Sequence, residues 1–82
     1  MTEDPASTVR QIIGDHFNIK EEAVRDEAHL HDDLGGDSLD DIEIAMKIEE
    51  AFSVDLSDDD VSCVRTVGDA IALARAKLGT MT

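Results

Sequence analysis

Aromatic residues are almost missing from this chain. Only Phe17 and Phe52 are aromatic among its 82 residues, and there is no Trp or Tyr. Aliphatic side chains and methionine must therefore fill the core, and a chain of this length can build only a small one. The scarcity of aromatics argues against a deep aromatic substrate pocket and against a platform on which nucleic-acid bases could stack.

Cysteine is nearly absent as well, since Cys63 is the only one. A single cysteine excludes a disulfide within the chain and a zinc site built on cysteines. This usage suits a reducing compartment, so we expect a cytoplasmic protein. We expect Cys63 to pack as a small hydrophobic side chain, because its acidic neighbours disfavour the thiolate that redox chemistry needs.

Long apolar runs are not found either. The N-terminal stretch MTEDPASTVRQ has neither a basic segment nor an apolar one, so it does not resemble a secretory signal. No run approaches the roughly 18 apolar residues of a membrane span. We therefore expect no membrane-spanning segment. The length of 82 residues predicts a single domain over residues 1–82.

Positive charge is scarce, because 20 acidic residues accompany only seven Lys and Arg, and the net charge is −13. Residues 26–60 contain fourteen acids and one base, Lys47, so this segment alone accounts for the net charge. Nucleic acids and anionic membranes are therefore unfavourable partners, and basic patches on other proteins are favourable ones. The alternative is that the charge only keeps the protein soluble.

Apolar residues recur at helical spacing in four segments, which predicts an all-α fold. We predict a small four-helix bundle with three longer helices, one short helix and a long loop between the first and second. The predicted helices cover residues 4–17, 38–52, 57–64 and 66–78.

Residue types that favour helix ends mark these boundaries. Asp4, Ser57 and Thr66 are the predicted N-caps of the first, third and fourth helices. Asn18 is a predicted stop for the first helix, and Gly79 is predicted to lie just past the end of the last.

The start of the second helix offers two possible caps, Asp37 and Ser38. Asp41 lies three residues after Ser38, in the position that a capping box requires. From position alone, capping is the default role for Ser38.

The predicted loop, residues 18–37, is long, and loops of this length are usually functional or disordered. Its apolar residues could attach it to the core, and Gly35 and Gly36 let the backbone turn before the second helix. The predicted attachment points are Ile19, Val24, Leu30 and Leu34.

The second helix carries two apolar stripes. At about 100° per residue, one wide stripe faces the predicted core. Its members are Ile44, Ala45, Ile48, Ala51 and Phe52. A second stripe, Leu39, Ile42 and Met46, lies roughly opposite and is bordered by acids. A small bundle buries only one wide face per helix, so this stripe is a candidate partner site. Packing beneath the long loop remains the alternative, above all for Ile42.

Ser38 could also carry chemistry. A catalytic nucleophile would need a base and an oxyanion hole, but GDSLD is not a nucleophile motif and no histidine has an evident partner arrangement. A modified hydroxyl is a further possibility, because a phosphate ester there would lie at a helix N-terminus. A dedicated calcium loop is disfavoured, because the required pattern fails at Leu34, Gly36 and Asp37.

Residues 32–52, DDLGGDSLDDIEIAMKIEEAF, closely resemble the phosphopantetheine attachment segment of acyl carrier proteins, in which D-L-G-x-D-S-L precedes an acidic helix. The segments VRQIIGDHFNIKEEAV and FSVDLSDDDVSCVRTVGDAIAL extend the resemblance over nearly the whole chain. The acidity and length resemble the discrete carriers. Peptidyl carriers, which favour L-G-G-x-S-L, are the alternative, and an acidic interaction module without a prosthetic group is another.

The resemblance implies a carrier and not an enzyme. Ser38 would receive a covalent 4'-phosphopantetheine from coenzyme A through a separate phosphopantetheinyl transferase. The thiol of this arm would then hold an acyl group as a thioester. The implied protein is a monomer that serves fatty-acid synthesis or specialised lipid or polyketide synthesis, and it has no metal site.

The resemblance also assigns two surfaces. Acyl synthases, reductases and acyltransferases with basic patches would dock on the second helix and its flanks. The implied docking residues are Asp37, Leu39, Asp40, Ile42, Glu43, Met46, Glu49, Glu50 and Asp55. The acyl chain would enter between the helices, among Ile44, Ala45, Ile48, Val61, Val64, Ala70 and Leu73.

Several positions differ from the common pattern of the family, and they favour a specialised pathway. These positions are Leu30, Asp41, Lys47, Ser57 and Leu73.

Overall fold

The computed structural model describes residues 5–79, and it confirms the predicted all-α architecture. The chain forms α1 (Pro5–Phe17), a 3-10 turn (Glu21–Ala23), α2 (Ser38–Phe52), α3 (Asp58–Ser62) and α4 (Val67–Gly79). Within these described residues there is no β-strand, and no helix is both long and apolar enough to cross a membrane.

The core lies where α1, α2 and α4 meet. Each helix has apolar residues three or four positions apart, so one face of each is buried. The largest side chains that are almost wholly inaccessible are Val9, Ile13, Leu30 and Val67. Burying a side chain of this kind contributes about 1.5–3 kcal/mol, and the entropy cost of ordering the chain opposes this gain.

The long connection between α1 and α2 is fixed by backbone hydrogen bonds to the junction between α3 and α4. The Leu30 N–H donates to the Arg65 carbonyl at 2.9 Å, and the Val67 N–H donates to the Ala28 carbonyl at 3.0 Å. Together with the burial of Leu30, these bonds make the loop part of the core. The predicted attachment residues are buried or partly buried against the core, as expected: Ile19, Val24, Leu30 and Leu34.

Most predicted helix ends are confirmed. Asn18 adopts a left-handed conformation with φ of 60° and follows the end of α1. The Thr66 hydroxyl accepts a hydrogen bond from the Asp69 N–H at 3.1 Å, so Thr66 caps α4. Gly79 is the last residue of α4 and does not lie past its end. The predicted cap Asp4 is outside the described residues.

Two predictions of burial are wrong. Cys63 is exposed, because α3 ends at Ser62 and Cys63 is its C-cap instead of continuing the predicted helix to residue 64. Ala51 is exposed as well, although Phe52 beside it packs partly against the core.

Candidate functional site

Asp37, and not Ser38, is the N-cap of α2. Asp37 Oδ1 accepts hydrogen bonds from the N–H groups of Leu39 (3.0 Å) and Asp40 (3.1 Å). Asp40 Oδ2 accepts one in return from the Asp37 N–H at 2.9 Å. The capping box is therefore displaced by one residue from the pair of Ser38 and Asp41 predicted above.

This displacement makes Ser38 the first residue of α2. Its side chain is exposed, and its hydroxyl forms no hydrogen bond with another residue in the range 5–79. The local backbone is thus fixed by a neighbour, while the hydroxyl points into solvent and remains available for chemistry.

Two glycines bring the chain to this position. Gly35 has φ of +76°, in the left-handed region that favours glycine. A Cβ at Gly36 would lie 2.8 Å from Phe17 Cζ and 3.0 Å from the Leu30 carbonyl oxygen. Because a side chain there would push the loop away from α1, Gly36 helps to fix the direction in which α2 begins.

Ser38 opens onto a surface groove between α2 and α3, with a volume of about 560 Å³. Its α2 side includes Ser38, Ile42 and Met46, and its other side includes Leu56 and Val61. The lining also includes Asp41, Glu49 and Asp58, so a flexible arm attached to Ser38 would follow a groove with both apolar and acidic sides.

A second space, called here the inner cavity, lies among α2, α3 and α4. All seven residues that the resemblance assigned to an acyl pocket line it: Ile44, Ala45, Ile48, Val61, Val64, Ala70 and Leu73. Leu30, Asp41 and Leu56 complete the lining. Its volume is about 10 Å³, which is room for roughly one water molecule. The helices must therefore separate before an acyl chain can enter.

The second apolar stripe of α2 is exposed, as predicted. Leu39, Ile42 and Met46 have 64%, 52% and 55% of their surfaces accessible, although each is a large hydrophobic residue. The alternative, in which they pack beneath the loop, is wrong. Three adjacent apolar side chains rimmed by acids form a surface suited to a protein partner.

The acids assigned to docking are not equivalent in the structure. Glu50 and Asp55 are exposed, and Glu43 is about half exposed. The Glu49 carboxylate instead accepts a hydrogen bond from the Leu56 N–H at 2.8 Å and so holds the chain after α2 in place.

His16 connects α1 to α2. Its Nε2 lies 2.7 Å from Asp40 Oδ1, and its Nδ1 lies 3.3 Å from Lys47 Nζ. An ammonium group only donates, so Nδ1 accepts from Lys47 and Nε2 donates its hydrogen to Asp40. This hydrogen bond, together with that from the Asp37 N–H, lowers the pKa of the Asp40 carboxyl. Lys47 therefore contacts α1, and Asp40 is engaged within the fold.

His16, Asp40 and Glu43 also have ligand atoms within 4.8 Å of one another. A cation there would have to replace the hydrogen bond between His16 and Asp40, and exposed acids often cluster without binding a metal. The three side chains are better explained as a contact between two helices.

A sequence profile described as "Phosphopantetheine attachment site" matches residues 7–74. The "Acyl carrier protein" of Phenylobacterium zucineum (strain HLK1) is 40% identical over 76 residues, which cover 93% of this chain and 96% of that protein.

Solved structures of acyl carrier proteins share the fold. The protein from Enterococcus faecalis superposes with a TM-score of 0.77 and 33% identity, over 94% of this chain and 99% of that one. The protein from Thermotoga maritima gives a TM-score of 0.78 and 28% identity, over 92% and 87%.

These matches define a phosphopantetheine-attachment domain. The chain belongs to the acyl carrier protein family, as its sequence indicated. Members of this family carry acyl groups on a 4'-phosphopantetheine that is covalently attached to a serine, and they work with partner enzymes of synthesis.

Proposed function

We propose that Ser38 is the attachment serine and that the protein itself catalyses no reaction. The proposal rests on one observation, which is that two adjacent residues at the start of α2 have different roles. Asp37 provides the cap, and the adjacent Ser38 presents an exposed hydroxyl without a partner among the described residues. The residues Asp37-Ser38-Leu39 also match the D-S-L of the family's attachment segment.

The chemistry at Ser38 needs an outside base. The imidazoles of His16 and His31 are hydrogen-bonded to Asp40 and Asp41, and no histidine side chain of the described residues is hydrogen-bonded to Ser38. A transferase would therefore remove the hydroxyl proton while the Ser38 oxygen bonds to the phosphorus of the phosphopantetheinyl group. The diphosphate bond of coenzyme A would break in the same step, and the adenosine bisphosphate would leave.

The inner cavity would receive the acyl chain by expansion. Its outer wall includes Val61 of α3, a helix of five residues with no buried side chain. Displacing α3 would therefore expose little buried surface. The apolar lining would then cover the acyl chain, and the burial of this chain would offset the cost of moving α3.

The exposed stripe Leu39, Ile42 and Met46 would dock acyl synthases, reductases, acyltransferases and the transferase. Glu43, Glu50 and Asp55 would orient basic patches on these partners. Asp40 and Glu49 would contribute indirectly, because both are hydrogen-bonded within the fold. We place this activity in the cytoplasm, in fatty-acid synthesis or in specialised lipid or polyketide synthesis.

Intact-mass analysis tests the proposal. The protein is incubated with coenzyme A and a broad-specificity transferase, and the arm is then loaded with an acyl group. We expect a first gain of one phosphopantetheinyl group and a second gain of the acyl group, and hydroxylamine should remove only the second because it cleaves thioesters.

Two alanine variants make the result specific. Ser38→Ala should gain neither group, whereas Ser62→Ala, which alters another serine of the same groove, should gain both. Modification of folded Ser38→Ala, or no modification of the folded wild type, would contradict the proposal.

A further inference from the structure

Asp41 has a buried carboxylate oxygen without a partner. Its Oδ2 lies 2.8 Å from His31 Nε2, whereas its Oδ1 is inaccessible to solvent and has no hydrogen-bond donor among the described residues. The side chain as a whole is 15% exposed. A buried oxygen that lacks a donor is unfavourable, so it would gain from any ligand that brings one.

Asp41 borders both of the spaces that a chain attached at Ser38 could occupy. Asp41 follows Ser38 by three residues, so the two side chains are neighbours on one face of α2. Asp41 lines both the groove onto which Ser38 opens and the inner cavity. A chain attached at Ser38 would therefore lie near Asp41 on its way from the groove to the inner cavity.

The rest of the inner cavity cannot form hydrogen bonds through side chains. Every other residue that lines it is Leu, Ile, Val or Ala. Asp41 therefore supplies the only side-chain acceptor in a lining that otherwise recognises shape and apolar surface alone. Oδ1 is closed to solvent, and we expect a donor to approach it from the inner cavity, which Asp41 also lines.

We propose that Asp41 selects acyl groups that carry a hydrogen-bond donor, a hydroxyl or an amino group, close to the thioester. This inference rests on the proposed attachment at Ser38 and names the class of cargo. The donor would bond to Asp41 Oδ1 while the apolar remainder of the chain fills the cavity. A saturated chain of the same length would leave Oδ1 unpaired.

The test compares octanoyl and 3-hydroxyoctanoyl groups on the phosphopantetheinylated protein. The rate at which hydroxylamine cleaves each thioester is measured and divided by the rate for the same thioester of coenzyme A, which removes differences in intrinsic reactivity. A cargo held in the cavity is protected from cleavage. We expect the wild type to protect the hydroxyacyl group about tenfold more than the octanoyl group, the effect of one hydrogen bond to a carboxylate.

Two variants assign this preference to Oδ1. Asp41→Leu removes the acceptor and should bring the protection of the two cargoes to the same level. His31→Ala removes only the contact to Oδ2 and should leave the preference intact. The wild-type comparison needs no variant, so it decides the question even if Asp41→Leu folds poorly.

Equal protection of the two cargoes by the wild type would overturn the inference. So would an equal loss of protection for both cargoes in Asp41→Leu, which would show that an amide of the arm supplies the donor. Failure of Ser38 to accept the arm is a separate result, seen before any cargo is compared, and it would remove the proposed function and this inference together.

Discussion

Asp37 and Ser38 are adjacent residues with different tasks. The Asp37 carboxylate accepts two backbone hydrogen bonds that would otherwise be unsatisfied at the start of α2. The Ser38 hydroxyl accepts none, so the attachment of a group there would remove no interaction from the fold. A carrier that must fold both with and without its prosthetic group needs this separation.

Substitution of each residue by alanine tests the separation. Asp37→Ala should lower the free energy of unfolding by about 1 kcal/mol, because it removes the cap. Ser38→Ala should change it by less than about 0.5 kcal/mol, because it removes an exposed group without a partner. Urea unfolding of the unmodified proteins, followed by circular dichroism, measures both values. If Ser38→Ala lowered the free energy of unfolding as much as Asp37→Ala, Ser38 would be the cap of α2.

The sequence offered two caps for α2, Asp37 and Ser38, and did not decide between them. Asp37 and Ser38 are both good N-caps, and the register between them depends on how the preceding loop meets α1. That meeting is set by Gly36 against Phe17, a contact between residues that are far apart in the chain. The sequence could not predict the unpartnered oxygen of Asp41 for the same reason, because the surroundings of this oxygen depend on tertiary packing.

At the scale of elements, α2, α3 and α4 begin in the same way. Each has an aspartate whose carboxylate accepts a hydrogen bond from the N–H of the residue three positions earlier: Asp40, Asp60 and Asp69. The pKa of all three carboxyls is lowered. The largest cause is the hydrogen bond from His16 for Asp40 and the hydrogen bond from Lys77 for Asp60. For Asp69 it is the hydrogen bond from the Arg65 N–H.

These shifts predict a loss of stability in acid. A carboxyl whose pKa is lowered in the folded state stabilises the fold at pH values above its unfolded pKa, here 3.8. This stabilisation is lost as the pH falls from the unfolded pKa through the folded pKa. Urea unfolding should therefore give a free energy that decreases from about pH 4 downward. Asp69→Asn should show a weaker dependence, since it removes one of the three groups. A free energy that stays constant over this range would contradict the explanation.

The exposed stripe of α2 and the acids beside it lead to a prediction about docking. Glu43→Lys should raise the KM of the phosphopantetheinyl transferase several-fold at low salt, because it places a cation beside the exposed apolar stripe. Glu22→Lys changes the net charge equally, but it lies in the exposed 3-10 turn and should leave KM unchanged. The effect should shrink at high ionic strength. Equal effects of the two substitutions would show that total charge, and not this face, governs docking.

Helical periodicity predicted four helices, and it was least accurate for α3. A five-residue helix has too few positions for its period to define its length, so the prediction extended to residue 64. The pairing of the long loop with the junction between α3 and α4 depends on backbone bonds between distant segments, which periodicity does not reveal.

At the scale of the whole molecule, charge is the dominant property. The net charge of −13 opposes the compact state through self-repulsion. The bundle is nevertheless closed, because its apolar faces meet in a continuous core. The same field that destabilises the fold would steer basic partners towards α2.

This balance predicts that cations stabilise the protein. Millimolar Mg²⁺ should raise the melting temperature, and NaCl at matched ionic strength should raise it less, because a divalent ion neutralises neighbouring acids more effectively. Differential scanning calorimetry of the unmodified protein measures both. A melting temperature that is indifferent to both salts would show that repulsion contributes little.

The residues of the inner cavity were predictable from the family resemblance, but its closed state was not. All seven predicted residues line it, yet its volume of about 10 Å³ follows from how α2, α3 and α4 pack. Volume depends on contacts between elements, and these are not encoded in the spacing of residues along one helix.

Fragmentation of the modified wild-type protein in a mass spectrometer tests most directly whether Ser38 carries the phosphopantetheinyl arm, because it locates the added group along the chain. We expect every fragment that contains Ser38 to carry the added mass and fragments that lack Ser38 to have none. Added mass on fragments without Ser38, or a folded protein that gains no mass, would contradict this expectation.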